Sequence, residues 1–232
     1  MAITSGSALE RYQSKPFLGS SHSWAFTELA ALPATATVLD IGSGSGVIGK
    51  YLKSRGLNEL NAIEVDPAAI QNTASIYKRT ERSIEAFGTE QFDAILMLDI
   101  LEHLPNPAMM LHQAAALLRP GGVALISVPN IAHWSVRLGL LFGRFHYTDR
   151  GILDRTHLHF FTRRSFEQFL RAQPNLRVLK HDSTIEPAEF LLPEILVSNP
   201  LFRGLSQLRL GVARALPGFF AYQHLARVER LS

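Results

Sequence analysis

The chain has 232 residues, of which 47% are hydrophobic and 19% charged, with a net charge of +3 and no cysteine. That length fits one α/β domain with room for a lid or small extension, and the composition excludes disorder for most of it. Without cysteine there are no disulfides, thiolate metal sites or cysteine nucleophiles.

Residues 1–22 read as an N-terminal arm, frayed over Met1–Glu10. They hold no basic stretch leading into an apolar one, and the chain has no apolar run of about eighteen residues, so the expectation is a cytoplasmic protein without a membrane span. A helix is predicted over Ser23–Leu32, then a buried strand, Val38–Ile41, that runs into Gly42, Gly44 and Gly46. Alternating glycines let a backbone turn sharply and approach a ligand where any Cβ would intrude. Glu64 closes a second apolar run, Ala62–Val65, and is placed to accept from ribose hydroxyls. Strand, loop and acid together imply a nucleoside cofactor. The spacing is not the dinucleotide fingerprint, whose third glycine would fall at Val47, and no Tyr/Lys or His/Asp pair in a dehydrogenase context accompanies it.

Helices are predicted over Gly46–Ser54, over Pro67–Tyr77 behind the Asp66 cap, and over Pro107–Leu118, which ends at Arg119-Pro120-Gly121-Gly122. They alternate with strands Ala94–Leu98 and Val123–Val128, and such alternation means a doubly wound parallel sheet. Ligands of these sheets sit beyond the carboxyl ends of the strands, where Gly42, Glu64 and Asp99 all fall. Beyond Asn130 come a helix (Ala132–Phe142), a polar loop (Gly143–Phe161), a helix (Arg163–Ala172) and a strand (Leu176–Ser183). The apolar, arginine-studded Ala188–Leu216 reads as one or two amphipathic helices before a last strand, Phe219–Arg227. The whole chain, 1–232, is taken as one domain: a cofactor-binding half over 23–130 and an acceptor-side half over 131–232, with a helical insertion at 188–216.

The glycine loop, Ile63-Glu64-Val65-Asp66, Phe92-Asp93-Ala94-Ile95 and Leu117-Leu118-Arg119-Pro120-Gly121-Gly122 resemble, in order and spacing, the class I S-adenosylmethionine-dependent methyltransferases. The resemblance implies a Rossmann-like, mostly parallel seven-stranded sheet with an antiparallel last strand and helical lid insertions. It also implies that Gly42, Gly44 and Gly46 pass the methionine part of S-adenosylmethionine, that Glu64 holds the ribose hydroxyls, and that Leu98 and Asp99 meet the sulfonium. Asp40, Ser43 and Val65 complete the expected cofactor contacts. An adenine-binding residue stays open among Glu81, Ser83 and Glu85.

Two histidine motifs lie on the expected acceptor side: Asp99-Ile100-Leu101-Glu102-His103-Leu104 and Asp154-Arg155-Thr156-His157-Leu158-His159. His103 and His157 are the catalytic candidates, since transfer to a hydroxyl needs a base if the nucleophile must lose its proton. His159 would point to the other side of an extended segment. The pattern resembles ubiquinone-pathway O-methyltransferases and small-RNA 2′-O-methyltransferases, which implies Asp99, Glu102, His103 and His157 as ligands of a divalent metal. Asp99 stands where the resemblance expects glutamate. Metal ligation, a metal-free base or orienting role, and bracing of the loop all stay open, and no metal is assigned.

Val128–Arg137 with Leu140–Arg144 resembles bacterial methyltransferases of sugar, polyketide or surface-polysaccharide pathways and the W-type methionine-biosynthesis proteins. That places His133, Trp134 and Arg137 beside an acceptor pocket, with helix packing as the alternative. The apolar helices could cover a hydrophobic acceptor, meet a membrane surface or partner, or pack in the core. The arginines alternate with leucines and do not cluster with aromatics, which argues against nucleic acid. The expected activity is O-methylation of a small acceptor, phenolic, sugar or lipid-linked, by a monomer or homodimer. The alternative is a cofactor-binding partner or regulatory subunit of a biosynthetic complex.

Overall fold

The computed structural model describes residues 17–188, 192, 194–197 and 199–231. Met1–Glu10, expected to fray, and part of the 188–216 insertion lie outside the described residues. Seven strands make one sheet: β1 (Val38–Ile41), β2 (Leu60–Ile63), β3 (Arg79–Glu81), β4 (Phe92–Leu98), β5 (Leu118–Pro129), β6 (Leu176–Ser183) and β7 (Gln223–Arg230). Their order is β3-β2-β1-β4-β5-β7-β6, and β7 runs antiparallel to both of its neighbours while the first five strands pair in parallel. Around the sheet lie α1 (Ser21–Leu29), α2 (Val47–Ser54), α3 (Pro67–Thr73), α4 (Pro107–Leu117), α5 (Trp134–Leu141), α6 (Arg163–Arg171), α7 (Glu194–Val197), α8 (Pro200–Ala215) and α9 (Pro217–Phe220). Among the described residues no helix is long and apolar enough to cross a membrane.

The central strands read as unbroken apolar runs because both of their faces are covered. Along β4, Ile95 and Met97 join the core under α4 and α6, while Ala94 and Leu96 join the core under α1 and α2. Strand β5 divides in the same way, Ile126 to one side and Leu125 to the other. Strand order reverses between β1 and β4, so the crevice for a ligand opens beyond their carboxyl ends.

Several boundaries differ from the sequence reading. Strand β2 ends at Ile63, two residues early; the Glu64 amide still donates to the Glu81 carbonyl of β3 at 2.9 Å, while its side chain turns to the glycine loop. Helix α3 stops at Thr73, whose hydroxyl donates back to the Ala69 carbonyl at 2.7 Å. The Arg119–Gly122 turn lies inside β5 as a bulge: Leu118 pairs with Phe92 and the next pair is Val123 with Ala94. A Cβ on Gly122 would lie 2.9 Å from the Arg119 carbonyl oxygen and 3.0 Å from that of Phe92. Strand β7 begins at Gln223, because Pro217 starts the single turn of α9.

Candidate functional site

The glycine loop leaves β1 with Gly42, Gly44 and Gly46 all at positive φ, 76°, 50° and 69°. Side chains are excluded sterically as well: a Cβ on Gly42 would come within 2.9 Å of Ile100, and one on Gly46 within 2.8 Å of both Ile76 and Thr73. Gly46 is the N-cap of α2, so the loop delivers the positive end of that helix to the crevice.

Glu64 fastens this loop to the next. Its Oε2 accepts from the Gly44 amide at 2.8 Å, and its Oε1 accepts from the amides of Val65 at 2.8 Å and Asp66 at 3.0 Å. The carboxylate is buried, yet the neighbouring Val65 is 68% exposed, so a polar acceptor stands beside an apolar face at one rim of the crevice. Asp40 sits deeper, buried under the loop, and accepts from the Tyr77 hydroxyl at 2.6 Å. Burial pushes the Asp40 carboxyl up to about 6; the Tyr77 bond opposes that rise and the Glu64 charge adds to it. Ser43 is buried and Leu98 half-buried. At the β3 end, the Glu81 side chain accepts from Arg79 at 2.8 Å, and Glu85 accepts from Gln113 at 2.9 Å.

Asp99, just past β4, is the only described non-glycine residue with positive φ, at 56°. Its Oδ1 accepts from the Ser127 hydroxyl and from the Gln223 side-chain amide, each at 2.6 Å. The carboxylate is therefore turned toward β5 and β7. Glu102, His103 and His157 do come together, with one donor atom of each within 4.8 Å of the others, and Asp99 lies outside that group.

Two chain segments build this cluster. The Leu101–His103 turn follows β4, and the Gly151–Phe161 stretch is pinned to it by the amides of Leu158 and His159, which donate to the Glu102 carbonyl at 2.8 and 3.1 Å. The two imidazoles meet edge to face, centroids 4.7 Å apart. Nδ1 of His157 faces the Ile152 carbonyl at 3.1 Å, and a carbonyl only accepts, so the proton sits on Nδ1 and Nε2 carries the lone pair. Thr156 uses its hydroxyl proton on Asp154 at 2.7 Å, so His103 Nδ1 donates toward the Thr156 oxygens. Burial, and then the neighbouring His103, hold the His157 pKa below the ordinary 6.5. His159 leaves the cluster and leans on the Pro105 carbonyl at 3.4 Å.

The residues expected to bind an acceptor form a latch. His133 is buried as the N-cap of α5, and its Nε2 faces Glu186 at 2.9 Å. Trp134 Nε1 donates to the same carboxylate at 2.9 Å, and Arg209 of α8 pairs with it at 2.7 Å. Burial raises the Glu186 pKa, but the bonds from His133, Arg209 and Trp134 outweigh it and hold the group well below the usual carboxylate range. Arg137 donates to the Ala132 carbonyl and lies over the Phe219 ring at 5.5 Å.

Tyr77, Ser127, Glu186, Tyr222 and Gln223 stand among the site residues without any motif having singled them out. A Cβ on Gly151 would lie 2.7 Å from the Tyr222 hydroxyl, so this phenol sits directly under the histidine-bearing loop. Burial, with smaller contributions from the Asp99 and Glu186 charges, pushes it up to about 12.

A family profile described as a methyltransferase domain matches residues 22–181. A curated relative, the ubiquinone biosynthesis O-methyltransferase of Xanthomonas axonopodis pv. citri, is 31% identical over 109 residues, covering 42% of this chain and 45% of the relative. The chain thus spans less than half the length of that relative. Among solved structures, a SAM dependent methyltransferase from Archaeoglobus fulgidus superposes with a TM-score of 0.62 at 16% identity, covering 90% of this chain and 92% of that one. The cyclase SpnF superposes with a TM-score of 0.61 at 12% identity, covering 95% and 86%. At such identities the likeness concerns the fold, which serves more than one chemistry. The profile match along most of the chain, over the same loop, acid and sheet order, places this protein among the class I S-adenosylmethionine-dependent methyltransferases, with S-adenosylmethionine as cofactor.

Proposed function

We propose that this enzyme methylates a hydroxyl group of a small acceptor, phenolic, sugar or lipid-linked, held beneath the Gly151–Phe161 stretch. One observation carries the reading: the imidazoles of His103 and His157 meet edge to face, centroids 4.7 Å apart, and His157 gives its Nδ1 proton to the Ile152 carbonyl, which leaves Nε2 as its basic atom. The cofactor supplies a methyl carbon on a positively charged sulfur. Glu64 would accept from its ribose hydroxyls and Val65 would lie against its adenine. Gly42, Ser43, Gly44 and Gly46 would line the methionine part, with Asp40 beneath them and Leu98 and Asp99 beside the sulfonium.

With that cofactor bound, the acceptor oxygen would take the methyl carbon and the electron pair of the broken carbon–sulfur bond would stay with sulfur. His157 Nε2 takes the hydroxyl proton, and His103 orients the hydroxyl. Because its pKa lies below 6.5, His157 is neutral and competent at pH 7. Replacing it, His157→Gln, should lower kcat by about 10²-fold or more and remove the acidic limb, below pH 6.5, from the rate profile.

The close approach of Glu102, His103 and His157 supports a second reading in which these donors hold a divalent cation, a ligand set that suits such ions. Release of S-adenosylhomocysteine, measured with phenolic, sugar and lipid-linked acceptors with and without chelator, separates the two. Chelator-resistant turnover supports the metal-free base. Turnover lost to chelator and restored by a divalent ion replaces it with the metal. Transfer to amines but to no hydroxyl acceptor would overturn both.

A further inference from the structure

Two helices tied together through Glu186 turn apolar stripes to solvent, and each carries exposed arginine beside its stripe. On α8 and its C-cap, Leu201, Leu205, Leu208, Val212 and Leu216 are exposed at i, i+4, i+7, i+11 and i+15, opposite the buried Ser206, Leu210 and Ala213. One face of that helix packs on the protein and the other carries leucine into water. Helix α5 repeats the pattern, with Trp134, Leu138 and Leu141 exposed at i, i+4 and i+7 opposite the buried Val136. Leu201 is 84% exposed and Leu141 77%, far beyond a stray surface leucine. The two stripes border one carboxylate, since Trp134 opens the first and Arg209 flanks the second, and both side chains bond to Glu186.

We propose that this α5–α8 surface docks on an anionic lipid bilayer. Charge selects the occupant. The sequence has no acidic residue over 131–148 or 195–228, whereas Arg137, Arg144 and Arg203 are exposed there. A second copy of the chain meeting this surface about a two-fold axis would set arginines against arginines. Anionic headgroups complement them, and the exposed leucines enter the acyl boundary as on interfacial amphipathic helices. Trp134, Phe142 and Tyr147, all exposed, supply the aromatic side chains that favour such an interface. The surface stands independently of the acceptor assigned above.

The test is co-sedimentation of the full chain with vesicles of phosphatidylcholine alone or mixed with phosphatidylglycerol, for the unaltered protein and for Leu205→Gln/Leu208→Gln. The unaltered protein should pellet with the phosphatidylglycerol vesicles and come off as salt is raised. The double variant should partition about tenfold less, because two exposed leucines no longer insert. Its S-adenosylhomocysteine affinity should be unchanged, which shows an intact fold and keeps this test apart from that of the catalytic reading. Unaltered protein left in the supernatant, or equal partition of the variant, overturns the proposal. So does a dimer that the double substitution dissociates, since the surface would then be covered by a second copy.

Discussion

Asp40 is buried beneath the glycine loop with one strong bond, from Tyr77. Its carboxyl is raised from the ordinary 3.8 to about 6, so folding favours the protonated form. The stability this residue contributes is complete below pH 3.8 and is lost as pH rises through 6. Asp40→Asn keeps an oxygen to accept from Tyr77 and removes the titration. Relative to the unaltered protein, the variant should gain stability between pH 4 and 6 and hold an advantage on the order of 1–3 kcal/mol above that, read from denaturant unfolding at each pH. A constant difference across that range would mean that Asp40 does not titrate as described. At the same scale, the histidine cluster divides by its hydrogen bonds: His157 and His103 each give Nδ1 to an oxygen, and Asp99 gives its carboxylate to Ser127 and Gln223. No spacing in the sequence tells these uses apart, since the partners of His103 and Asp99 come from distant segments and that of His157 is a backbone carbonyl.

Helix α5 shows a legible helix whose side-chain contacts the sequence does not announce. Its apolar pattern announces a helix, and the structure has one over Trp134–Leu141. The residues expected to face an acceptor, His133, Trp134 and Arg137, fasten it to α8 and α9 through Glu186 and Phe219. Nothing near Glu186 in the sequence marks it as the centre of three contacts. Glu186→Gln should lower stability by about 1–2 kcal/mol at neutral pH through loss of charge-assisted bonds. Since its pKa lies below the ordinary 4.5, that contribution is present above pH 4.5 and fades as pH falls, so the two melting temperatures should converge in acid. Element ends were less legible than elements. The β2 boundary moved because Val65 extends the apolar run in sequence yet is exposed, while the Glu64 carboxylate turns to the Gly44, Val65 and Asp66 amides, and β3 is a three-residue edge strand with no apolar run to announce it.

At the scale of the molecule, the sheet order was legible because β1, β2, β4 and β5 are short apolar runs separated by helical patterns, and a doubly wound sheet follows from such alternation. The order also fixes the crevice: the ends of β1, β2 and β4 bring Gly42, Glu64 and Asp99 to one side. The acceptor half was less legible, because β6 and β7 pair across a long insertion and Tyr222 reaches the site only through that pairing.

The central claim is that the cofactor lies over this loop with its ribose on Glu64. Calorimetric titration of S-adenosylhomocysteine into the unaltered protein, Glu64→Gln and Glu64→Ala tests it most directly, with unfolding curves as a control for the loop contacts at Gly44, Val65 and Asp66. Both variants should remain folded and bind at least roughly tenfold more weakly, the alanine variant more so, as loss of hydrogen bonds to a charged acceptor requires. Unchanged affinity in folded Glu64→Ala would contradict the claim and move the cofactor away from the glycine loop.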